Sequence, residues 1–345
     1  MIEPTSGNLL NADVEALVNT VNCVGYMGKG IALQFKQAFP DNYTAYRRAC
    51  DRGEVQPGRM QVYETGQAFP RLIFNFPTKR DWRANSRIDD IEIGLQALIR
   101  EIEARGVTSV AVPPLGCGNG GLNWRDVRPR IERAFAALPD VRVLLFSPSG
   151  APAATTMPVR TTRPRMTLAR ALFIRLMEQY RVLNYRMTLL ELQKLAYFLQ
   201  EAGEPLKLRY VPGPYGPFAP NLNKVLELLE GHFIRGYGDS QKPDVEIALL
   251  PGGPEAATAF VKEFADASAR LDRVSRLIEG FETPHSMELL ATVHWVATRG
   301  DQPTRTLEDI VRAVHGWNAR KARAFPRRHI EVTWAHLVEQ GWLAR

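Results

Sequence analysis

Short apolar runs and stretches of helical spacing alternate along the first 150 residues. Ala16–Val21, Arg59–Tyr63, Leu72–Phe76, Val107–Pro113 and Val141–Phe146 read as strands. Ile31–Arg48, Asp90–Arg105 and Trp124–Leu138 place their apolar side chains at helical intervals. That alternation predicts an α/β sheet covered by helices on both faces. The pattern then changes. Ser147–Arg165 carries four prolines, no acidic residue and no periodicity, and is expected to be a linker. Beyond it the spacing is almost wholly helical, over Thr167–Leu183, Thr188–Ala202, Asn221–Phe233, Ala256–Ile278, Ser286–Thr298, Leu307–His315 and Thr333–Leu343. The expected division is an α/β domain over 1–149, a linker over 150–165 and a mainly helical domain over 166–345.

Two glycine loops interrupt this pattern at equivalent points. The strand ending at Asn22 runs into Gly25, Gly28 and Gly30 and then into a helix starting near Ile31. The strand ending at Pro113 runs into Leu115-Gly116-Cys117-Gly118-Asn119-Gly120-Gly121-Leu122 and a helix from Trp124. The order strand, glycine loop, helix aims backbone N–H groups and a helix N-terminus at one point, where a phosphate binds readily. One such loop alone is equally a turn with no ligand. Two at neighbouring strand ends form a cleft, and one loop can hold each half of a diphosphate. Asn75 to Arg83 is expected as a polar, basic loop following an apolar strand. Lys79 within it is either a solvated lysine or a site group beside the cleft.

Composition narrows the class. At 345 residues, with 45% hydrophobic and 23% charged residues, the chain is expected to fold as about two globular domains. It has no apolar run of 18 residues, and Met1-Ile2-Glu3-Pro4 lacks the signature of a signal peptide, so no membrane association and a cytoplasmic location are expected. Cys23, Cys50 and Cys117 have no metal-ligand spacing, which argues against a zinc site or a disulfide framework; Cys23 and Cys117 read as small loop residues. No metal and no cofactor is expected. The net charge of +7 is concentrated in the second half, which holds 26 Lys and Arg against 21 Asp and Glu, compared with 18 against 16 in residues 1–150. A basic balance suits a polyanion, and also plain solubility. Two further stretches leave alternatives open. Tyr210–Phe218, a proline and glycine loop with three aromatics, either packs on a helical core or stacks bases. Arg320, Lys321, Arg323, Arg327 and Arg328 gather without an acid before Glu331, as a solvated face or as a patch for phosphate or an acidic partner.

The first 150 residues resemble a macrodomain, the ADP-ribose-binding module. The resemblance rests on Gly7-Asn8-Leu9-Leu10, on Glu15 to Asn22, on Gly28-Lys29-Gly30-Ile31-Ala32, and on Pro113 to Leu122, in that order. It implies a three-layer α/β/α fold with a mixed sheet. Met27 to Ala32 and Asn75-Phe76-Pro77-Thr78-Lys79 are similar to the branch that removes ADP-ribose by means of a lysine, and most of all to the DarG-type antitoxins. What this implies is an enzyme, a glycohydrolase that frees ADP-ribose from thymine in single-stranded DNA and so reverses a DarT-like ADP-ribosyltransferase toxin. Residues 191–231 also resemble, less specifically, the helical domain of such antitoxins, which implies that the second domain binds the toxin. The residues carried over are Lys79 and Asn22 for catalysis. For ADP-ribose they are Asn8, Leu9, Gly28, Lys29, Gly30, Ile31, Ala32, Thr78, Leu115, Gly116, Cys117, Gly118, Asn119, Gly120 and Gly121. Two positions depart from the pattern: many macrodomains have Asp where Asn8 stands, and lysine-using eukaryotic relatives have an acid where this chain has Asn119-Gly120-Gly121. The alternatives are a module that only binds ADP-ribose, a phosphatase acting on ADP-ribose phosphate, and an antitoxin that acts by sequestration alone.

Overall fold

The structure, a computed structural model, describes residues 1–148, 157–181, 187–239, 243–299 and 306–344. Residues 149–156 of the expected linker, and the last two of the helix expected over Thr167–Leu183, lie outside the described residues. The chain divides into two compact units: Met1–Arg163 with Gly238–Gln241, and Pro164–Tyr237 with Lys242–Arg345.

In the first unit, β1 (Ile2–Thr5), β2 (Ala16–Asn22), β3 (Gln61–Glu64), β4 (Leu72–Lys79), β5 (Ser109–Val112) and β6 (Arg142–Phe146) form one sheet in the order β1-β6-β5-β2-β4-β3. Only β3 runs antiparallel, against β4, so the sheet is mixed. The helices are α1 (Gly30–Ala38), α2 (Pro40–Asp51), α3 (Ile88–Ala104) and α4 (Trp124–Phe135). The central strands are apolar on both faces because both are covered. Ala16, Val18, Phe74, Val110 and Val112 pack with Ile91, Leu98, Val127 and Ile131 of α3 and α4, whereas Leu17, Ile73 and Ala111 pack with Phe35 and Ala38 of α1.

A buried asparagine ladder sets the register of the central pair. Asn19 and Asn75 are Cα partners across β2 and β4; Asn19 Nδ2 donates to Asn75 Oδ1 at 2.8 Å, and Asn75 Nδ2 donates to Asn42 Oδ1 of α2 at 2.7 Å. A one-residue slip would leave these amides unpaired in the core, a cost of about 1–3 kcal/mol each.

Several elements differ from the sequence expectation. The single helix expected over Ile31–Arg48 is two, because Pro40 cannot donate into the preceding turn and begins α2 instead. β4 continues to Lys79, so Asn75–Lys79 is strand rather than loop; the strand runs through Pro77, whose neighbour Thr78 sits at an irregularity in the pairing. Short β1 carries no pattern of its own and exists by pairing with β6.

The second unit has its own core, built from α5 (Leu168–Arg181), α6 (Leu189–Glu201), α7 (Leu222–Leu229), α8 (Gly253–Val261), α9 (Ala265–Ile278), α10 (Pro284–Arg299), α11 (Leu307–Trp317) and α13 (Arg327–Glu339), with α12 (Ala319–Ala324) as a short link. Ala256–Ile278, expected as one helix, is broken at Phe264 into α8 and α9, and the last helix starts at Arg327 rather than Thr333. The Tyr210–Phe218 loop is a small hairpin, β7 (Val211–Gly213) with β8 (Gly216–Phe218). Beneath it lies a buried cluster: Lys194 Nζ donates to the Pro217 carbonyl at 2.7 Å, and Lys321 Nζ to Thr292 Oγ1 at 3.0 Å and to the Glu288 carboxylate. The C-terminal basic run is therefore no acid-free face. Glu288 on α10 takes Arg320 and Lys321, and Arg327 pairs with Glu308 and Glu331.

Candidate functional site

β2 lies between β5 and β4, and all three run parallel, so their carboxyl ends open on one side of the sheet. The first glycine loop leaves β2, the second leaves β5, and Lys79 ends β4. A pairing irregularity at Val21/Asn22 lets the strands skip Thr78, and as a result Asn22 and Lys79 are Cα partners. The two residues expected to carry catalysis, 57 positions apart in the chain, are thereby adjacent.

Asn22 organises the first loop. Its Oδ1 accepts from the N–H groups of Val24 at 3.0 Å and Tyr26 at 3.3 Å, and its Nδ2 donates to the Tyr26 carbonyl at 2.5 Å. Buried Tyr46 of α2 donates its hydroxyl to the Asn22 carbonyl at 2.6 Å. Gly25 and Gly30 have positive φ, 76° and 59°, where a side chain would strain the backbone. Gly28 is needed for another reason: a Cβ there would sit 2.3 Å from the Tyr26 ring. No side chain caps α1, and among the described residues the N–H groups of Ile31 and Ala32 in its first turn bond to nothing.

The second loop offers a similar row. Its own turns use the N–H groups of Cys117, Gly121 and Leu122, whereas those of Gly118, Asn119 and Gly120 have no partner among the described residues. Consecutive unbonded N–H groups form a concave anion site. A Cβ on Gly118 would meet open space, so this glycine keeps the approach clear. On Gly120 it would come within 2.3 Å of the Gly116 carbonyl and of Ser86 Oγ. Ser86, which sequence reasoning missed, is buried and donates its N–H to the Gly120 carbonyl at 2.9 Å, clamping the loop from α3's side. Asn119 joins the halves of the site. Its carbonyl accepts from Lys79 Nζ, and its side-chain amide lies where a Cβ on Gly30 would be 3.1 Å away.

Lys79 is half-buried, and that burial pulls its ammonium below the ordinary lysine range. Arg80, the next residue in the chain, has its guanidinium held in a double hydrogen bond by buried Asp90 of α3, at 2.9 and 3.2 Å. The thiols of Cys23 and Cys117 are pushed up to about 11, chiefly by burial, which leaves them protonated and unreactive at neutral pH.

The remaining expected contacts sort by exposure. Asn8 caps the short 3-10 turn Leu9–Asn11, its Oδ1 accepting from Leu10 N–H at 3.0 Å. Leu9 and Leu115 are buried core side chains, which leaves only their backbone to offer a ligand. Thr78 is buried and donates its hydroxyl to the Val21 carbonyl at 3.4 Å. Lys29 stands at the N-cap of α1, and Ile31 and Ala32 in its first turn. Cys117 is half-buried beside Gly116 and Gly121, the latter two with φ of 71° and 78°.

The comparisons with known proteins identify the family. Residues 18–131 match the Macro domain family. The DNA ADP-ribosyl glycohydrolase of Thermus aquaticus is 47% identical over 99% of this chain and 94% of its own length. The chain belongs to the DNA ADP-ribosyl glycohydrolase family. Its fold is the expected one for that family, an α/β macrodomain followed by a mainly helical part. A DNA ADP-ribosyl transferase-DNA ADP-ribosyl glycohydrolase fusion protein of Thermosipho africanus is 35% identical over 41% of this chain and 40% of its own length. Among solved structures, the macrodomain of Thermus aquaticus DarG is 58% identical, covering 43% of this chain and 99% of its own, with a TM-score of 0.42. No described helix is long and apolar enough to cross a membrane.

Proposed function

We propose that this member of the family hydrolyses the N-glycosidic bond between ADP-ribose and a thymine of single-stranded DNA, reversing a DarT-type toxin. The observation that carries the reading is the pairing of Asn22 with Lys79 beside the N–H groups of Ile31 and Ala32 and of Gly118, Asn119 and Gly120, which have no partner among the described residues. The diphosphate is held between the loops by the N–H groups of Ile31 and Ala32 on one side and of Gly118, Asn119 and Gly120 on the other. This places the distal ribose over Asn22 and Lys79. Asn22 shapes the loop that positions the sugar. The amine of Lys79, partly desolvated and so easier to deprotonate, engages the anomeric carbon directly or as a Schiff base with the opened sugar. The carbon–nitrogen bond breaks, thymine leaves with the electron pair and takes up a proton, and water completes the release of ADP-ribose.

The deciding experiment is a single-turnover assay on a single-stranded oligonucleotide carrying one ADP-ribosylated thymine. ADP-ribose and the intact unmodified oligonucleotide are the expected products. Tight binding without release would make the first unit a reader of ADP-ribose instead.

The second unit is proposed to bind the toxin. Its separate core, a hairpin exposing Val211 and Tyr215, and exposed Leu228 and Val332 support a partner-binding role. The fusion of transferase and glycohydrolase in the Thermosipho relative supports a transferase as that partner.

A further inference from the structure

A tryptophan stands exposed just beyond the catalytic lysine. Trp82, three residues after Lys79, keeps 39% of its surface in solvent, although its loop is otherwise polar and basic. It is not a stray side chain. Its ring lies 5.9 Å from that of Tyr26, tilted by 43°, and the Arg83 guanidinium sits over it at 4.4 Å from the ring centre. Both supports are themselves positioned. Asp81 Oδ1 accepts from the Arg83 N–H at 2.8 Å and turns the backbone there. Tyr26 is tied by its carbonyl to Asn22 and lies over Gly28, where a side chain would displace it. Arg83 and Arg87 are exposed and pair with no carboxylate among the described residues, whereas Arg80 is consumed by Asp90.

Neither Trp82 nor Arg83 is among the residues assigned to ADP-ribose. If the diphosphate lies between the glycine loops and its distal ribose meets Lys79, as proposed above, then what lies past Lys79 is the leaving thymine and the strand attached to it. An exposed indole with a stacked guanidinium and a second ring beside it is a surface on which a nucleobase stacks, and the adjacent arginines suit its phosphates. We propose that Trp82, supported by Tyr26 and Arg83, is a stacking platform for a base next to the modified thymine. The site thereby recognises the single strand as well as its ADP-ribose. Because every base has a flat face, the platform selects unstacked strand rather than sequence.

The proposal rests on the glycohydrolase reading, and its test is separable from it. In a Lys79→Ala background, where turnover does not erode the complex, affinity is measured for an ADP-ribosylated oligonucleotide and for ADP-ribosylated thymidine alone. Adding Trp82→Ala should weaken the oligonucleotide by roughly 5- to 100-fold, the range for losing one stacked base, and leave the nucleoside unchanged. Trp82→Phe should recover most of the loss. An abasic nucleotide on each side of the modified thymine should reproduce the loss without any substitution. Arg83→Gln should lower the salt dependence of oligonucleotide binding by about one charge. Equal weakening of both ligands, or of neither, would overturn the platform. Failure of the glycohydrolase reading shows elsewhere, as absence of release by the unsubstituted chain.

Discussion

Replacing Lys79 separates binding from chemistry at this site. Its amine makes one described bond, to the Asn119 carbonyl, and it is only half-buried. Lys79→Ala should therefore cost about 1 kcal/mol of stability or less, the net worth of such a bond. The loops that hold the diphosphate do so through backbone N–H groups, which this substitution leaves in place, so ADP-ribose affinity by calorimetry should stay within about threefold. The rate should not. Loss of a group acting at the anomeric carbon should lower single-turnover release from ADP-ribosylated single-stranded DNA at least about a hundredfold, or about 2.7 kcal/mol of transition-state stabilisation. Burial holds the Lys79 pKa below its ordinary 10.5. If the neutral amine is the acting form, the native rate should climb with pH and level off below that value. Lys79→Arg supplies the contrast, because its guanidinium stays protonated and cannot attack carbon. Its rate should match that of Lys79→Ala, with no rising limb. Arginine restoring the rate would reduce Lys79 to a positive charge near the phosphates, and a full rate in Lys79→Ala would remove it from the reaction.

Three further expectations follow from other parts of the molecule. Gly118→Phe points into open space at an unstrained backbone, so thermal stability should hold while ADP-ribose affinity falls at least about thirtyfold; normal binding would show that the diphosphate does not lie against this loop. The 166–345 fragment, whose apolar core draws on the second unit alone, should co-purify with a DarT-type transferase, and retention of the transferase by residues 1–163 instead would reverse the division of labour. Burial lowers Lys194 to about 7 and Lys321 to about 8, so between about pH 7 and 10 the unfolded chain binds more protons than the folded one. Stability of the second unit should then rise with pH across that window, and Lys194→Met should flatten the rise; a melting midpoint that falls from pH 7 to 9 would refute the assignment.

The order of strand, glycine loop and helix, repeated twice, is local information. It was legible because buried strands are mostly apolar, helices space their apolar residues, and glycine marks the turns. Lys79, Asn22 and the loop glycines could be named from that order and from a family resemblance. Their geometry could not, because it depends on pairings between distant segments. Asn22 faces Lys79 only through a skipped residue at Thr78, and the register is held by amides of Asn19, Asn42 and Asn75 drawn from three elements. The fate of each charge was likewise decided by the fold: α3 brings Asp90 to Arg80, next to Lys79 in the chain, and the C-terminal basic run looked unpaired until α10 and α11 supplied Glu288 and Glu308. Trp82 was visible in the sequence as one aromatic in a basic loop. Only the tertiary structure, by laying Tyr26 and Arg83 against it and still leaving it exposed, distinguishes it from a core residue. Periodicity reports which faces are buried, while ion pairs, registers and exposed rings depend on which segments meet.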